Sequence, residues 1–315
     1  MLIRHVKFLI GAVIAAAFCP AMAAPDWTKV EGKDIVLLYP AQLSWEMLLT
    51  QAEHSGADKF RGGRTCRQCH EGEESNSGSL LVGDKKSEPT PIAGKPGSVS
   101  AIVKAATDGD RLFIRIELDL GSQPDAGMDK DFETKVAVMF DNGAVNEVVN
   151  AGCWAACHDD LASMPSARQG GGQSDVTKYL MRSRVKMART GGAEIKPTEA
   201  LAPIRDKGED LEYWEAKLNP GSPPVIVDGA VLDRRTENPA PLVTGEASFE
   251  GGKWVVTMAR KMSAPAPYKA FAAGVAYTMG IAVHAGHTAK RFHYVSLEKA
   301  LAIDNGKADF VARKF

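Results

Sequence analysis

Val99-Ser-Ala-Ile-Val-Lys-Ala-Ala-Thr-Asp-Gly-Asp-Arg-Leu-Phe-Ile-Arg-Ile-Glu-Leu118 decides the fold class. Two apolar runs, Val99 to Ala106 and Leu112 to Leu118, flank Thr107-Asp-Gly-Asp110, and Asp-Gly between such runs is a strong hairpin signal. The pattern recurs where Glu246 to Phe249 and Lys253 to Arg260 flank Glu250-Gly-Gly252. Further strands are predicted at Thr134 to Phe140, Leu211 to Leu218, Ala276 to His284 and Phe292 to Ser296. Strands at this frequency, separated by glycine-rich turns, indicate a mainly β fold, a β-sandwich. Helices are predicted at Val176 to Ala188 and at Leu297 to Ile303.

The chain before this region reads differently. Ile35 to Tyr39 is a short apolar strand closed by Pro40. Ser44 has the character of an N-cap, with Trp45, Leu48, Leu49 and Ala52 on one face of a helix that should end near His54-Ser55-Gly56. Glu71 to Gly78 is acidic and polar, as expected of a surface loop. Glu88 to Ser98, rich in proline and glycine, reads as a linker. The expected division is a signal segment over 1–23, a small, mostly irregular or helical module over 24–90, and the sandwich over 91–315. The module has too few apolar residues to stand alone.

Two cysteine pairs, one on each side of that linker, end in histidine. Cys66-Arg-Gln-Cys69-His70 has the spacing of c-type haem attachment, and Cys153-Trp-Ala-Ala-Cys157-His158 repeats it with one extra residue. The chemistry needs all three side chains: two thiols add across the porphyrin vinyl groups, and the imidazole ligates the iron. Two covalently bound haem c groups are therefore expected, on Cys66, Cys69, Cys153 and Cys157, with His70 and His158 as iron ligands. Structural disulfides fit poorly, because cysteines so closely spaced seldom bridge and the histidines would be left unexplained. A thioredoxin-like site would explain one pair but not two, and a shared zinc site would have to join pairs far apart in the chain.

The N-terminus agrees with the compartment that such attachment requires. Arg4 and Lys7 precede the apolar stretch Phe8 to Phe18, and Ala21-Met22-Ala23 forms a small-x-small cleavage site. That stretch is too short for a membrane span, so a cleaved signal peptide and a periplasmic protein are expected. Of the five cysteines, Cys19 would go with the signal, leaving the four in the two motifs. Loss of Arg4 and Lys7 takes the formal charge from −1 to −3, which argues against a nucleic-acid partner.

From Val99 onward the chain resembles the haem-binding domain of the ethylbenzene dehydrogenase and dimethylsulfide dehydrogenase γ subunits, in the branch of dihaem c-type cytochromes that carry it behind a haem c module. The resemblance is carried by Ala101 to Arg115, by Gly152 to Asp160 with Met164-Pro165, by Trp254 to Arg260 and by Met279 to Ser296. Ser44-Trp45 and His54-Ser-Gly-Ala57 also look like that branch. It implies a sandwich holding a haem near its end and passing electrons. The γ subunits hold a non-covalent haem b through methionine and lysine, whereas here Cys153, Cys157 and His158 imply covalent attachment. No molybdopterin-subunit sequence is present, so the substrate chemistry of those dehydrogenases does not carry over.

Seven histidines are present, and His5 lies in the signal. His54, shortly before Cys66, is the candidate second ligand of the first haem, with Met47 as the methionine alternative. For the second haem the candidates are His293, His284 and His287 in that order. The resemblance favours His293, because the lysine-bearing stretch of the γ subunits corresponds to Arg291 to Ser296. Met164 is expected to pack rather than ligate, and Trp154 to cover the porphyrin edge.

Two functions follow. The first is a dihaem electron carrier between a membrane quinol-oxidising cytochrome and a periplasmic reductase or dehydrogenase. The competing reading is a haem enzyme, a peroxidase or small-anion reductase, with an open iron served by Asp159, Asp160 and Arg168. Spare histidines sufficient for full coordination favour the carrier.

Overall fold

The computed structural model describes residues 24–158, 161, 178–185 and 195–315. The signal segment, Met164, Arg168, and Asp159 and Asp160 lie outside the described residues.

The strands are β1 (Gly32–Leu38), β2 (Ser98–Thr107), β3 (Arg111–Asp119), β4 (Thr134–Asp141), β5 (Ala156–Cys157), β6 (Tyr179–Leu180), β7 (Leu211–Leu218) and β8 (Val225–Val231). They continue with β9 (Arg235–Glu237), β10 (Thr244–Glu250), β11 (Lys253–Lys261), β12 (Ala276–His284), β13 (Tyr294–Val295), β14 (Lys299–Ile303) and β15 (Phe310–Lys314). The β2–β3 hairpin forms as its sequence requires. The Asp108 carboxylate accepts the N–H groups of Asp110 and Arg111 at 2.9 and 2.7 Å. Gly109 takes φ +97°, which an L side chain resists. Val99, Ala101, Val103 and Ala105 all point inward, the period of two that a half-buried strand imposes.

Among the described residues thirteen strands make one continuous sheet, folded over so that two layers face each other. One layer runs β10-β11-β3-β2-β1 and the other β13-β12-β4-β7-β8-β9. The sandwich differs from two separate sheets because its layers are hydrogen-bonded along one side. Leu38 of β1 pairs with Val295 of β13, while β14 and β15 link β12 back to β2. Ile114, Ile116, Val256 and Met258 from one layer meet Val138, Trp214, Met279 and Ile281 from the other in a single core. Arg260 of β11 reaches across to Glu212 of β7 at 2.8 and 2.9 Å, a fully buried pair.

The N-terminal residues are woven into this body. β1 pairs with β2 along its whole length. Helix α1 (Trp45–Leu48) is capped by Ser44 as predicted but is much shorter than its apolar spacing suggests. The His54 Nδ1 lies 2.9 Å from the Leu48 carbonyl, and the Arg61 guanidinium binds that of Leu49. Those side chains take the carbonyls that a further helical turn would need. Two short helices follow, α2 (Ala57–Arg61) and α3 (Arg67–His70), and then α4 (Glu74–Gly83). The last replaces most of the polar loop expected from Glu71 to Gly78. It is held by close approach: a Cβ on Gly78 would stand 1.9 Å from the Gly97 carbonyl oxygen.

Other differences have similar causes. The expected linker is packed down, with buried Glu88 binding Arg291 at 2.5 and 3.1 Å. Leu297 to Ile303 is strand rather than helix, because β14 fills the slot between β12 and β15. Where a helix was predicted from Val176 to Ala188, the described residues form β6 and a 3-10 turn, Met181–Ser183. Strands β8 and β15, and helices α5 (Asn146–Ala151) and α6 (Thr198–Asp206), were not legible in the sequence.

Candidate functional site

The first motif sits on a single turn of helix. α3 begins at Arg67, so Cys66, Cys69 and His70 are carried around one turn. The turn is anchored at its N-terminal end. Cys66 N–H donates to the Asn150 carbonyl at 2.9 Å, Arg67 N–H to Glu298 at 3.0 Å, and the Arg67 guanidinium pairs with Asp309. Burial pushes the Cys66 thiol up to about 12. A cavity of about 420 Å³ opens beside the turn, lined by His54, Cys66, Cys69, His70, Phe60 and Trp154 among others. Met47 does not line it.

His54 faces His70 across this cavity, with ring centres 6.2 Å apart and planes inclined by 33°. Two imidazoles that ligate one iron from opposite sides, each with a metal–nitrogen bond of about 2 Å, stand roughly 6 Å apart at their centres. The His54 tautomer follows from its partner. A carbonyl oxygen only accepts, so Nδ1 carries the proton toward Leu48 and Nε2 keeps its lone pair. The spacing, the thiols and the cavity all fit a haem c.

The second motif is built from the sandwich side. α5 ends at Gly152, whose φ of +54° turns the chain into the 3-10 turn Gly152–Ala155 and then β5. Cys153 and Cys157 are both buried, and burial raises the Cys153 thiol above its ordinary value. Cys153 fits because β12 has a glycine facing it: a Cβ on Gly280 would lie 2.5 Å from the Cys153 Sγ. The Cys157 Sγ accepts the Trp45 N–H at 3.2 Å.

Three histidines gather here. The His158 and His293 ring centres are 4.7 Å apart with planes at 72°, and His284 stacks on His293 at 5.0 Å and 19°. His293 directs Nδ1 to the Arg291 carbonyl at 2.9 Å, so its Nε2 is the free lone pair, as in His54. His284 is turned the other way, with Nε2 at 2.8 Å from the Lys290 carbonyl. His287 is set apart at φ +53°, paired with Asp125 at 3.1 Å. Burial, then the charge of Lys178, pushes His293 down to about 3, and burial, then His293, holds His284 well below its ordinary value.

A cavity of only about 30 Å³ lies between Cys153, Cys157, His158 and His293, bordered by Arg291. The donors fit haem c here, but the opening is smaller than a porphyrin. The two rings must also part by about 1–2 Å to admit an iron between them. Trp154 and Leu43 line both this cavity and the first. Sequence reading placed Trp45 only on a helix face and gave no role to Gly280, Lys178 or the Glu88–Arg291 pair, whose contacts are long-range.

Comparison with known proteins agrees with this chemistry. The family model for ethylbenzene dehydrogenase matches residues 211–296, the stretch from β7 to just past β13 that carries His284 and His293. The chain is 33% identical over 310 residues to cytochrome c-552 of Stutzerimonas stutzeri, covering 97% of each. It is 27% identical over 294 residues to cytochrome c-551 of Rhodocyclus tenuis, covering 92% of this chain and 100% of that one.

Proposed function

This chain belongs to the family of cytochrome c-552 of Stutzerimonas stutzeri, an electron-carrying cytochrome c, and on that premise we propose that it is a periplasmic carrier of two haems. Haem c, when bound, supplies an iron that cycles between the ferrous and ferric states. Cys66 and Cys69 hold one group and Cys153 and Cys157 the other, with His70 and His158 as the first ligands. His54 and His293 complete the coordination, and His284 supports His293 by stacking on it.

One observation carries the reading. Beside each motif stands a second histidine whose Nδ1 is spent on a backbone carbonyl, which fixes the ring and leaves Nε2 for a metal. Met47 does not line the first cavity and His284 does not line the second, so neither is chosen. Trp154 stands in the wall of both cavities, so groups held in them would be neighbours between which electrons could pass. An iron held by a haem and two of these histidines would have no open position for a substrate, which favours the carrier over a peroxidase or reductase.

The chain is exported by the segment 1–23, which is removed. It takes electrons from a membrane quinol-oxidising cytochrome and passes them to a periplasmic reductase or dehydrogenase. Among the described residues no helix is long and apolar enough to cross a membrane.

The test is a set of histidine variants of the holoprotein. His54→Ala and His293→Ala should each keep the covalent haems but convert one from low-spin to a form that binds carbon monoxide. His284→Ala and His287→Ala should not. A carbon monoxide complex in the unaltered protein would contradict the carrier reading, and one formed only in His284→Ala would reassign the second ligand.

A further inference from the structure

Lys178 is a buried lysine that no carboxylate meets among the described residues. It immediately precedes β6 and is 8% exposed. β5 and β6 pair Cys157 with Tyr179, and one further step in that register sets Lys178 opposite His158. Opposite residues of an antiparallel pair project to the same face. The charges that bear on Lys178 include Cys153, Cys157, Arg235 and Glu215, but Glu215 is already held by Arg235 at 2.6 Å. Among the described residues no ion pair is formed by Lys178.

Among the described residues several other buried cations meet a carboxylate, though Lys299 forms no ion pair either. Arg291 has Glu88, Arg260 has Glu212, Lys269 has Asp210 and Lys135 has Asp129. Lys95 also lacks a carboxylate but stands over the rings of Tyr294 and Tyr39, at 4.1 and 5.4 Å. A buried ammonium without an anion is costly, and burial accordingly lowers the Lys178 pKa. Among the described residues no carboxylate supplies that anion, and one carried by a bound group would.

We propose that Lys178 is the counter-charge for a propionate of the haem attached to Cys153 and Cys157. The inference rests on the two-haem reading above. That haem would arrive with two carboxylates, and Lys178, near enough for its charge to act on Cys153 and Cys157, would meet one of them at the edge of the site. Beside it lies a polar basin of about 450 Å³, lined by His158, His284, Glu215 and Arg235 among others, where such an edge meets water. Lys178 is not a second iron ligand, because it shares a face with His158 and cannot stand opposite it across a porphyrin. Its positive charge disfavours the more highly charged ferric site and so raises the potential of that one haem.

The test uses the holoprotein, first checked for two covalent haems by denaturing mass, and then redox titration with the two haems resolved by their spectra. Lys178→Met, which fills similar volume without charge, should lower one potential and leave the other where it was. Lys178→Arg should keep both near the original values. Should Lys178→Met accumulate poorly, Lys178→Gln makes the same neutralisation with a polar group. Unchanged potentials, or an equal shift of both, would overturn the proposal, and so would a high-spin haem in Lys178→Met, which would make the lysine a ligand. A single haem in the unaltered protein would instead remove the two-haem reading itself.

Discussion

The two cysteine pairs share a motif but are built by opposite means. The first site is assembled mostly from neighbours in sequence: His54, Phe60, Cys66 and His70 come from one continuous stretch, around a cavity of about 420 Å³. The second is assembled across the sandwich, where residues following α5 meet β12 and the approach to β13, around an opening of about 30 Å³. Cys69 is exposed and Cys66 half-buried, whereas Cys153 and Cys157 are both buried. The local site has room and little packing of its own. The long-range site is packed closely, so a haem held there would be part of the core. A three-residue gap between cysteines is compatible with that setting, because a 3-10 turn and strand β5 carry the motif in place of an α-helical turn.

Variants can separate the two modes of construction. The largest effect is expected from Arg291→Ala, which would strand Glu88 in the interior beside the second site. Breaking a buried pair in this way should cost about 3–5 kcal/mol, read as a lower urea midpoint of the holoprotein. Next is Gly280→Ala, whose methyl would press on the Cys153 Sγ at 2.5 Å. Overpacking of this kind should cost about 1–3 kcal/mol and disturb the second haem's spectrum alone. At the first site, Gly63→Ala meets open space but keeps φ +92°, so backbone strain alone should cost about 1 kcal/mol. A Gly63 variant as damaging as the Gly280 one would show that the first site is not the looser of the two.

The smallest effect is expected with acid. Burial would raise the Asp309 pKa, but the Ala300 N–H, Lys33 and Arg67 together hold it below the ordinary carboxylate value. The folded state therefore binds this proton less readily than the unfolded chain does. The stabilisation is fully present above about pH 4 and is lost as pH falls through the folded value. Because Arg67 lies in the first motif, Asp309→Asn should flatten the acid limb of unfolding without changing the second haem's spectrum.

The same contrast explains what the sequence discloses. The β2–β3 and β10–β11 hairpins were legible because strand alternation and Asp-Gly or Gly-Gly turns are local signals. The position of His54 opposite His70 was legible for the same reason, since a short chain can fold back over one cavity. Helix α4 was hidden because it has no apolar stripe: the adjacent Leu81 and Val82 pack on the core and Gly78 closes against Gly97. β14 was hidden because Leu297 to Ile303 becomes strand only by pairing with β12 and β15. The meeting of His158 with His293 likewise depends on sheet register. The resemblance to the γ subunits supplied that candidate where local pattern could not. Lys178 and Gly280 carry no local signal and emerge only from the packing around Cys153.

The central claim is that both motifs are haem attachment sites, and the most direct measurement is the covalent haem count of the holoprotein. Denaturing mass and an alkaline pyridine spectrum should give two haems. Cys66→Ser with Cys69→Ser should remove one, and Cys153→Ser with Cys157→Ser the other. A single covalent haem in the unaltered protein, with Cys153 and Cys157 recovered as free thiols, would contradict the account.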